Sequence, residues 1–356
     1  MVRFIHYPLT FLNMGYKRVE LSTGFVRQAV EPNPPNEKVG LLQIRTANAC
    51  IDDARNLAIP KRLCGNLWFE GEVCILFADT NVGKSICAVQ VADNISRGEN
   101  KDVFGSEASQ QVVLYLDFEL SDKQFQSRYS VDWKQDYLWD SKFYRVRINP
   151  QFTDFEDFEK QLFIEIEEAI VKYKATILIV DNITYLRMQS TETGKEALPL
   201  MKHLTQMKNQ FKLSLLVLAH TPKRINPSMP LTINDLAGSK QLANFADSVF
   251  CIGKSMQGSN LRYIKQLKAR SCAVMDEVWL CELAKLHNFL GFTFINLDNE
   301  ANHLKSKNEA NDEMKAEIKK HQTENVGITQ TAIAEKLGVH KVKIGRIIKL
   351  MNENNS

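Results

Sequence analysis

The stretch from Val73 to Ile95 restricts the possible folds more than any other part of the sequence. An entirely apolar run, Val73 to Phe77, is followed by the eight residues ADTNVGKS, and a helical run begins at Ile86. A run that is apolar throughout is typical of a strand buried on both faces. The order strand, glycine-containing loop, helix brings backbone N–H groups and the positive end of a helix together, where they favour anions. The sequence therefore predicts an anion-binding turn between a buried strand and a helix.

Three further apolar runs predict buried strands of the same kind: Val112 to Leu116, Thr176 to Val180 and Leu213 to Ala219. Between the first two of them, apolar residues recur at helical spacing, which predicts a crossover helix. These residues are Phe155, Phe158, Leu162, Ile166, Ile170 and Tyr173. Strands that alternate with helices predict an α/β fold, with a mostly parallel central sheet flanked by helices and a ligand site at the carboxyl ends of the strands.

The loop sequence from Ala78 to Ser85 resembles the P-loop of ATP-binding proteins. The resemblance implies that the Lys84 side chain reaches the terminal phosphates and that the Ser85 hydroxyl holds Mg²⁺. Ala78 stands where the motif has its first glycine, so that backbone position must accommodate a Cβ. The alternative is a chance Gly-Lys-Ser in a loop, against which the flanking strand and helix argue. The predicted nucleotide-binding residues are Thr80, Asn81, Val82, Gly83, Lys84, Ser85 and Ile86.

Acidic residues follow two of the other predicted strands. Asp181 ends the strand that begins at Thr176, as the Mg²⁺-supporting carboxylate of a Walker B element does. Taken alone, an Asp after a strand is more often a turn or helix cap. Asp117 and Glu119 follow the strand ending at Leu116, and extended geometry would place both carboxylates on one side. Asp181 is therefore the predicted second metal residue beside Ser85.

Residues 60–295 resemble RecA-type P-loop ATPases, in particular the RepA-like, DnaB-like helicase group of plasmids and mobile elements. The resemblance rests on GEVCILFADTNVGKS, VLYLDFEL, ILIVDN, LAHTPKR and GSKQLANFADSVFCIG. It implies a RecA-like core in a hexameric ring or filament, with Glu119 activating water and His220 sensing the γ-phosphate. It also implies that Lys268 and Arg270 form a finger that reaches the ATP of a neighbouring subunit. The ordinary alternatives are a surface ion pair for Glu119 and a structural role for His220. For Lys268 and Arg270 the alternative is a solvated basic strand end.

The same resemblance implies two loops that face a central channel. The matching stretches are Arg187 to Lys195 and Pro222 to Gly238, which contain Thr, Gly, Lys, Arg and Asn. This composition suits phosphate contacts, and it suits any surface loop equally well.

The segment from Gln330 to Lys349 resembles a helix-turn-helix, which implies a small all-α domain at this end of the chain. Apolar residues, a small Ala334 and Gly338 fall at the spacing of that motif. After Glu335 every charge up to Lys349 is positive, which favours DNA as the ligand over the alternative, a protein-docking module. The predicted DNA-binding residues are His340, Lys341, Lys343, Arg346 and Lys349.

Composition constrains the class of protein less strongly than the motifs do. With 44% hydrophobic and 24% charged residues and a formal net charge of +3, the chain has the profile of a globular protein. Its apolar runs are far shorter than the ~20 residues that span a bilayer, so we expect a cytoplasmic protein without a membrane partner. The predicted organisation is an N-terminal extension or linker (1–45), the RecA-like ATPase domain (46–298), a polar linker (299–325) and the helix-turn-helix domain (326–356).

Three functional hypotheses follow. The first is an ATP-hydrolysing motor or remodelling ATPase that uses ATP and Mg²⁺ and acts on DNA. The second is an ATP-switched DNA-binding regulator or loader that unwinds nothing. The third, a DNA-binding scaffold with a dead nucleotide site, is opposed by the presence of Lys84, Ser85, Asp181 and Glu119.

Overall fold

A computed structural model describes twelve stretches of the chain. They are residues 17–20, 26–29, 37–39, 42–149, 151, 158–186, 194–221, 228–236, 239–304, 307–325, 327–337 and 339–353. Two compact units span residues 1–59 and 60–356. The domain boundaries expected from the sequence stay predictions.

The described residues of the first unit include two antiparallel strand pairs and a helix. Strands β1 (Lys17–Glu20) and β2 (Val26–Ala29) pair antiparallel, as do β3 (Glu37–Val39) and β4 (Leu42–Ile44). Helix α1 (Ala47–Ala54) begins after Thr46, whose hydroxyl accepts a hydrogen bond from the Ala49 N–H at 3.2 Å. This capping bond satisfies a backbone donor that the first helical turn leaves unpaired.

A nine-stranded sheet dominates the second unit. Its strand order is β11-β8-β12-β13-β7-β14-β15-β16-β17; the strands from β11 to β14 are parallel, and those from β14 to β17 pair antiparallel. The strands of this unit are β5 (Arg62–Cys64), β6 (Trp68–Phe69), β7 (Val73–Ala78), β8 (Val113–Asp117), β9 (Ser130–Val131), β10 (Gln135–Asp136), β11 (Phe143–Val146), β12 (Ile177–Asp181), β13 (Ser214–His220), β14 (Ser248–Lys254), β15 (Leu261–Lys268), β16 (Val278–Leu286) and β17 (Phe289–Asp298). Its helices are α2 (Lys84–Arg97), α3 (Asp122–Arg128), α4 (Phe158–Tyr173), α5 (Gly194–Phe211), α6 (Ser239–Phe245), α7 (Lys307–Glu324), α8 (Gln330–Leu337) and α9 (Lys341–Glu353). The predicted α/β class with a mostly parallel central sheet is confirmed, and this architecture fits a RecA-like core.

Both faces of the parallel strands are buried, which explains why their sequences do not alternate. In β7, Val73, Ile75 and Phe77 belong to the core on the side of α4, α5 and α6, whereas Cys74 and Leu76 belong to the core on the side of α2. Successive side chains of a strand point to opposite faces, so helices on both sides require apolar residues at every position.

The strand register aligns the residues that end the strands. Asp117 of β8 lies opposite Asp181 of β12, and Ala78 of β7 lies opposite His220 of β13. Because these strands are parallel, the four residues form a row at one edge of the sheet, which we call the carboxyl edge. The starts of the same strands define the opposite, amino edge.

The last three helices share a separate apolar cluster. It contains Ile318 of α7, residues of α8 and α9, and Val339 between them. The polar linker predicted over residues 299–325 thus contains a helix that buries Ile318 completely. The two apolar residues that α7 contributes to this contact, Met314 and Ile318, are too few for an apolar stripe to stand out in its sequence. The helix-turn-helix interpretation of this region stays a prediction.

None of the helices in the described residues is long and apolar enough to cross a membrane.

Candidate nucleotide-binding site

The loop between β7 and α2 has the backbone geometry of a tight phosphate-binding turn. Asn81 and Gly83 have φ values of 60° and 114°, and Gly83 immediately precedes the first residue of α2. Asn tolerates the left-handed region better than most residues do, and glycine adopts it freely. Thr80 and Asn81 are exposed, Val82 is buried, and the rest of the predicted set lies half-buried or buried at the start of α2.

The alanine at position 78 fits its place. Ala78 is the last residue of β7, is 1% exposed, and is not among the residues with positive φ. Its Cβ therefore causes no backbone strain, which removes the structural objection that the sequence raised at this position.

Lys84 lies at the centre of the site with its ammonium group buried. Its Nζ donates to the carbonyl oxygens of Ala78 at 2.9 Å and Asp79 at 3.2 Å, and it lies 3.3 Å from Nδ1 of His220. Burial lowers the pKa of Lys84, and the nearby carboxylates Asp181 and Glu119 oppose that shift. Within the described residues, no carboxylate lies within ion-pair distance of this ammonium. A buried cation at a helix N-terminus suits a polyphosphate.

Asp181 and Ser85 together offer oxygen atoms of the kind that Mg²⁺ prefers. Asp181 is 2% exposed, and its carboxylate accepts hydrogen bonds from the Ser85 hydroxyl and, at 2.5 Å, from the Tyr115 hydroxyl. Burial raises the pKa of Asp181 to about 6, against the effect of these two hydrogen bonds. The two predicted metal residues are thus neighbours, and a cation beside them would stabilise the charged form of Asp181.

Glu119, Asn182 and His220 form a polar cluster beside Lys84. The Asn182 side chain donates to the Glu119 carboxylate, and its Nδ2 lies 3.0 Å from Nε2 of His220. The same His220 nitrogen lies 3.8 Å from Glu119 Oε1. His220 is the largest cause of a lowered pKa at Glu119, so this carboxylate is ionised at neutral pH. Nδ1 of His220 thus lies beside Lys84 and Nε2 beside Asn182, so the imidazole ring connects Lys84 to this cluster.

A buried ion pair fixes the backbone that carries Glu119. Nε of Arg145 on β11 donates to Asp117 at 2.7 Å, and the other oxygen of Asp117 accepts the N–H groups of Glu119 and Leu120 at 3.2 and 3.0 Å. Arg145 also donates to the Leu120 carbonyl at 2.6 Å. The two carboxylates of this strand end therefore have separate roles: Asp117 anchors the turn, and Glu119 faces the site.

Comparison with known protein families identifies the family of this chain. A family model described as the AAA domain matches residues 42–225, which is more than half of the chain. The chain belongs to the AAA domain family. Among solved structures, it is similar to a KaiC-like protein from the hyperthermophilic archaeon Pyrococcus horikoshii OT3, with 14% identity, coverage of 64% of this chain and 91% of that chain, and a TM-score of 0.44. No curated protein matches the sequence.

The matched AAA domain includes Lys84, Glu119, Asp181 and His220. Family membership, together with the mostly parallel sheet and the loop before α2, supports a RecA-like P-loop ATPase that binds nucleotide with Mg²⁺. The roles of the individual site residues stay predictions, although the fold brings these four together.

The antiparallel strands after the AAA domain hold the P-loop from one side. Arg262 of β15 is 6% exposed and donates through Nε to the Val82 carbonyl at 3.0 Å. A Cβ added to Gly83 would lie 2.8 Å from Cζ of Phe292 on β17. The Gln90 side chain of α2 also exchanges two hydrogen bonds with the Phe292 backbone, at 2.9 and 2.7 Å.

Lys268 and Arg270, the predicted finger, lie at the amino edge and far from the chain's own P-loop. Lys268 pairs with Val249 near the start of β14, and its Nζ donates to the Ala243 carbonyl at 2.8 Å. Arg270 forms an ion pair with Asp247 at 2.7 Å. Any contact between these two residues and ATP would therefore have to be made in a neighbouring subunit.

The predicted channel loops fall largely outside the described residues. Of the first, only the backbone of residues 194–195 is described, and of the second, residues 228–236.

The predicted DNA-binding residues lie at and along α9. Nδ1 of His340 accepts the Val342 N–H at 3.3 Å, so His340 caps this helix. Lys341, Arg346 and Lys349 are exposed, and Lys343 is half-buried. Ile344 and Ile347 face the apolar cluster, so the helix has a basic side and an apolar side.

Sequence reasoning missed Tyr115, Asn182, Arg145 and Arg262. Asn182 directly follows Asp181 at the end of a predicted strand, and this position could have indicated that it lies at the site. Arg145 and Arg262 reach the site from β11 and β15, and nothing in their local sequence indicates those contacts.

Proposed function

We propose that this protein is an ATP-hydrolysing motor or remodelling ATPase of the RepA-like helicase type. It acts on DNA in the cytoplasm, in replication, mobilisation or transposition of a plasmid or mobile element. The observation that carries the proposal is the convergence of Lys84, Glu119, Asp181 and His220 at the carboxyl edge of one sheet.

Each residue has a task that its surroundings support. The P-loop N–H groups and the Lys84 ammonium bind the phosphates of ATP, and Ser85 and Asp181 hold Mg²⁺. When bound, Mg²⁺ supplies positive charge that stabilises the charge developing on the phosphate oxygens. Glu119, kept ionised by His220, orients the attacking water. His220 contacts both Lys84 and Asn182, so it connects the phosphate end of the site to the water-orienting carboxylate.

The finger assignment requires an oligomer, in a ring or a filament. Lys268 and Arg270 lie at the amino edge, so they can approach ATP only when a second copy of the chain presents its carboxyl edge to them. An Arg placed against the transferring phosphoryl group in this way neutralises transition-state charge.

The basic side of α9 supports DNA as the partner. Lys341, Lys343 and Arg346 form no ion pair with any residue in the described part of the chain, so their charges can meet phosphates. The apolar side of the helix is used for packing within its own cluster. A helix with this division can lie against a groove of duplex DNA without exposing its core.

One contact favours a second candidate function, an ATP-switched DNA-binding regulator or loader without helicase activity. The Asn182 amide donates a hydrogen bond to the Glu119 carboxylate, and that carboxylate must be free in order to orient water. If that contact persists with ATP bound, the protein binds nucleotide and changes state without rapid turnover.

Steady-state ATP hydrolysis separates these functions. We would compare the wild type with Lys84→Ala and Glu119→Gln, each without DNA, with single-stranded DNA and with duplex DNA. Glu277→Gln, an exposed and distant carboxylate, is the matched control. Loss of a general base lowers turnover by roughly 10²- to 10⁴-fold, so Glu119→Gln should lose DNA-stimulated hydrolysis whereas the control keeps it.

Unwinding of a tailed duplex by the wild type would identify a motor. ATP binding without turnover under all three conditions would select the switch. Unchanged hydrolysis in Lys84→Ala would refute the assignment of the nucleotide site.

A further inference from the structure

The amino edge of the sheet contains a second polar cavity, on the side opposite the nucleotide site. The cavity has a volume of about 440 Å³, and its lining residues include Lys142, Lys174 and Lys212. Its other polar lining residues include Gln110, Gln111, Thr176 and Ser214. The nucleotide site uses none of these residues.

The three lysines form a row because each precedes one of the parallel strands at the amino edge, with β8 lying between the strands that follow Lys142 and Lys174. Lys142 precedes β11, Lys174 precedes β12 and Lys212 precedes β13, and the strand order is β11-β8-β12-β13. With strands about 4.8 Å apart, the row extends over roughly 15 Å. Phosphates along one strand of a nucleic acid recur at roughly 3.4 Å of axial length, so the row matches a polyphosphate chain better than a single phosphate.

The positive charge of this row is not neutralised within the described residues. In the described part of the chain, no ion pair is formed by Lys142, Lys174 or Lys212. The carboxylates nearby have other partners: Glu70 accepts the Lys61 N–H at 2.9 Å and the Gln111 side chain at 2.6 Å. Three lysines around one cavity, two of them exposed and one half-buried, have the composition of a phosphate-binding surface.

Backbone conformation argues that two of these lysines are not present merely as helix caps. Lys174 and Lys212 each follow the last residue of a helix and have φ +54°, in the left-handed region where glycine is usual. That conformation strains an L-residue by more than a cation gains from lying at a helix C-terminus. Capping alone therefore does not account for lysine at both positions.

We infer that the Lys142–Lys174–Lys212 row binds the phosphate backbone of DNA and is a contact surface separate from α9. This inference rests on the proposed action on DNA, and it assigns part of the binding to the sheet domain itself. Because the row reads phosphates alone, it contributes affinity without sequence preference.

The test compares the full-length wild type with the triple variant Lys142→Gln, Lys174→Gln, Lys212→Gln. The matched control removes the same charge from three exposed lysines elsewhere, by Lys123→Gln, Lys134→Gln and Lys160→Gln. Binding to labelled oligo(dT) and to a duplex of equal length is measured over a range of salt concentrations. Thermal unfolding of both variants verifies that they fold.

We expect the salt dependence of single-strand binding, log Kd against log salt, to become shallower by about 2 in the cavity variant, since each phosphate contact contributes about 0.7. The control should keep the wild-type slope. Lysine acetylation followed by mass spectrometry should show that DNA protects the three cavity lysines and leaves Lys123 and Lys134 reactive. Protection by oligo(dT) alone or by the duplex alone would identify which form of DNA occupies the row.

Two results would overturn the inference, and they are distinguishable. If the wild type binds DNA but the cavity lysines stay reactive and the slope is unchanged, the row is not a DNA contact and the proposed function stands. If the wild type binds neither form of DNA, the proposed function and this inference are both wrong.

Discussion

Replacing Arg145 by Met removes one half of a buried ion pair and keeps much of the side-chain volume. The Asp117 carboxylate is 1% exposed on its side chain and Arg145 15%, so the variant leaves a charge that water reaches poorly. The Asp117 oxygen that does not accept from Arg145 also accepts the backbone N–H groups of Glu119 and Leu120. The substitution therefore affects both stability and the position of Glu119.

The expected loss is large because the remaining charge is uncompensated. Breaking a buried pair by removing one partner costs about 3–5 kcal/mol. The double variant Arg145→Met, Asp117→Asn leaves no buried charge and should recover most of this loss. A catalytic group misplaced by about 1 Å can cost roughly 10²-fold in rate, so ATP hydrolysis should fall as well.

Urea denaturation followed by tryptophan fluorescence measures the stability change. Trp139 is a suitable reporter, because its ring lies 5.0 Å from Phe143 and 5.3 Å from Phe125, over which the Arg145 guanidinium stacks. Arg147→Met is the control, since Arg147 forms an ion pair with the exposed Asp122. Equal loss in Arg145→Met and Arg147→Met would refute the reasoning, as would a double variant no more stable than Arg145→Met.

Three further outcomes are expected. Gly83→Ala should lower the thermal unfolding temperature and weaken ATP binding, because φ 114° and the 2.8 Å approach to Phe292 leave no room for a Cβ; a strained residue of this kind costs about 1–3 kcal/mol, and wild-type melting would contradict this. In EDTA, Asp181→Asn should be more stable than the wild type at neutral pH, on the order of 3 kcal/mol, since the folded-state pKa of about 6 exceeds the ordinary 3.8. Between pH 6 and pH 4 the folded wild type takes up a proton on Asp181 that the unfolded chain does not. The stability difference between the variant and the wild type should therefore shrink as pH falls from 6 towards 4, and a difference independent of pH would contradict this cause. The double variant Lys341→Gln, Arg346→Gln should weaken duplex binding for all sequences and reduce the salt slope by about 2, and an unchanged slope would exclude α9 as a phosphate contact.

Residues that follow a buried strand could be predicted from the sequence. The apolar runs before Ala78, Asp181 and His220 define parallel strands, and parallel strands end at a common edge. The structure confirms that sheet and brings these residues into one row, with strand ends one residue beyond those expected. Local composition was sufficient because both faces of each strand are covered by helices.

Contacts between distant parts of the chain could not be predicted in this way. Arg262 meets Val82 across 180 residues of sequence, and Arg145 meets Asp117 across 28. Both contacts depend on which strands become neighbours, which one sequence without its topology does not specify. The end of β15 is a further example. The sequence shows that Lys268 is basic, but it does not show that Lys268 lies at the edge of the sheet opposite the nucleotide site.

The ring of Phe292 fills the space next to Gly83, and this limits how the nucleotide loop can move. The loop has no freedom to swing towards β17, so a displacement in that direction must carry the strand with it. The Gln90 side chain of α2 also hydrogen-bonds the backbone of β17, so the loop, the helix and the strand are in direct contact. A movement of the loop towards β17 during nucleotide exchange would therefore also displace β17 and α2.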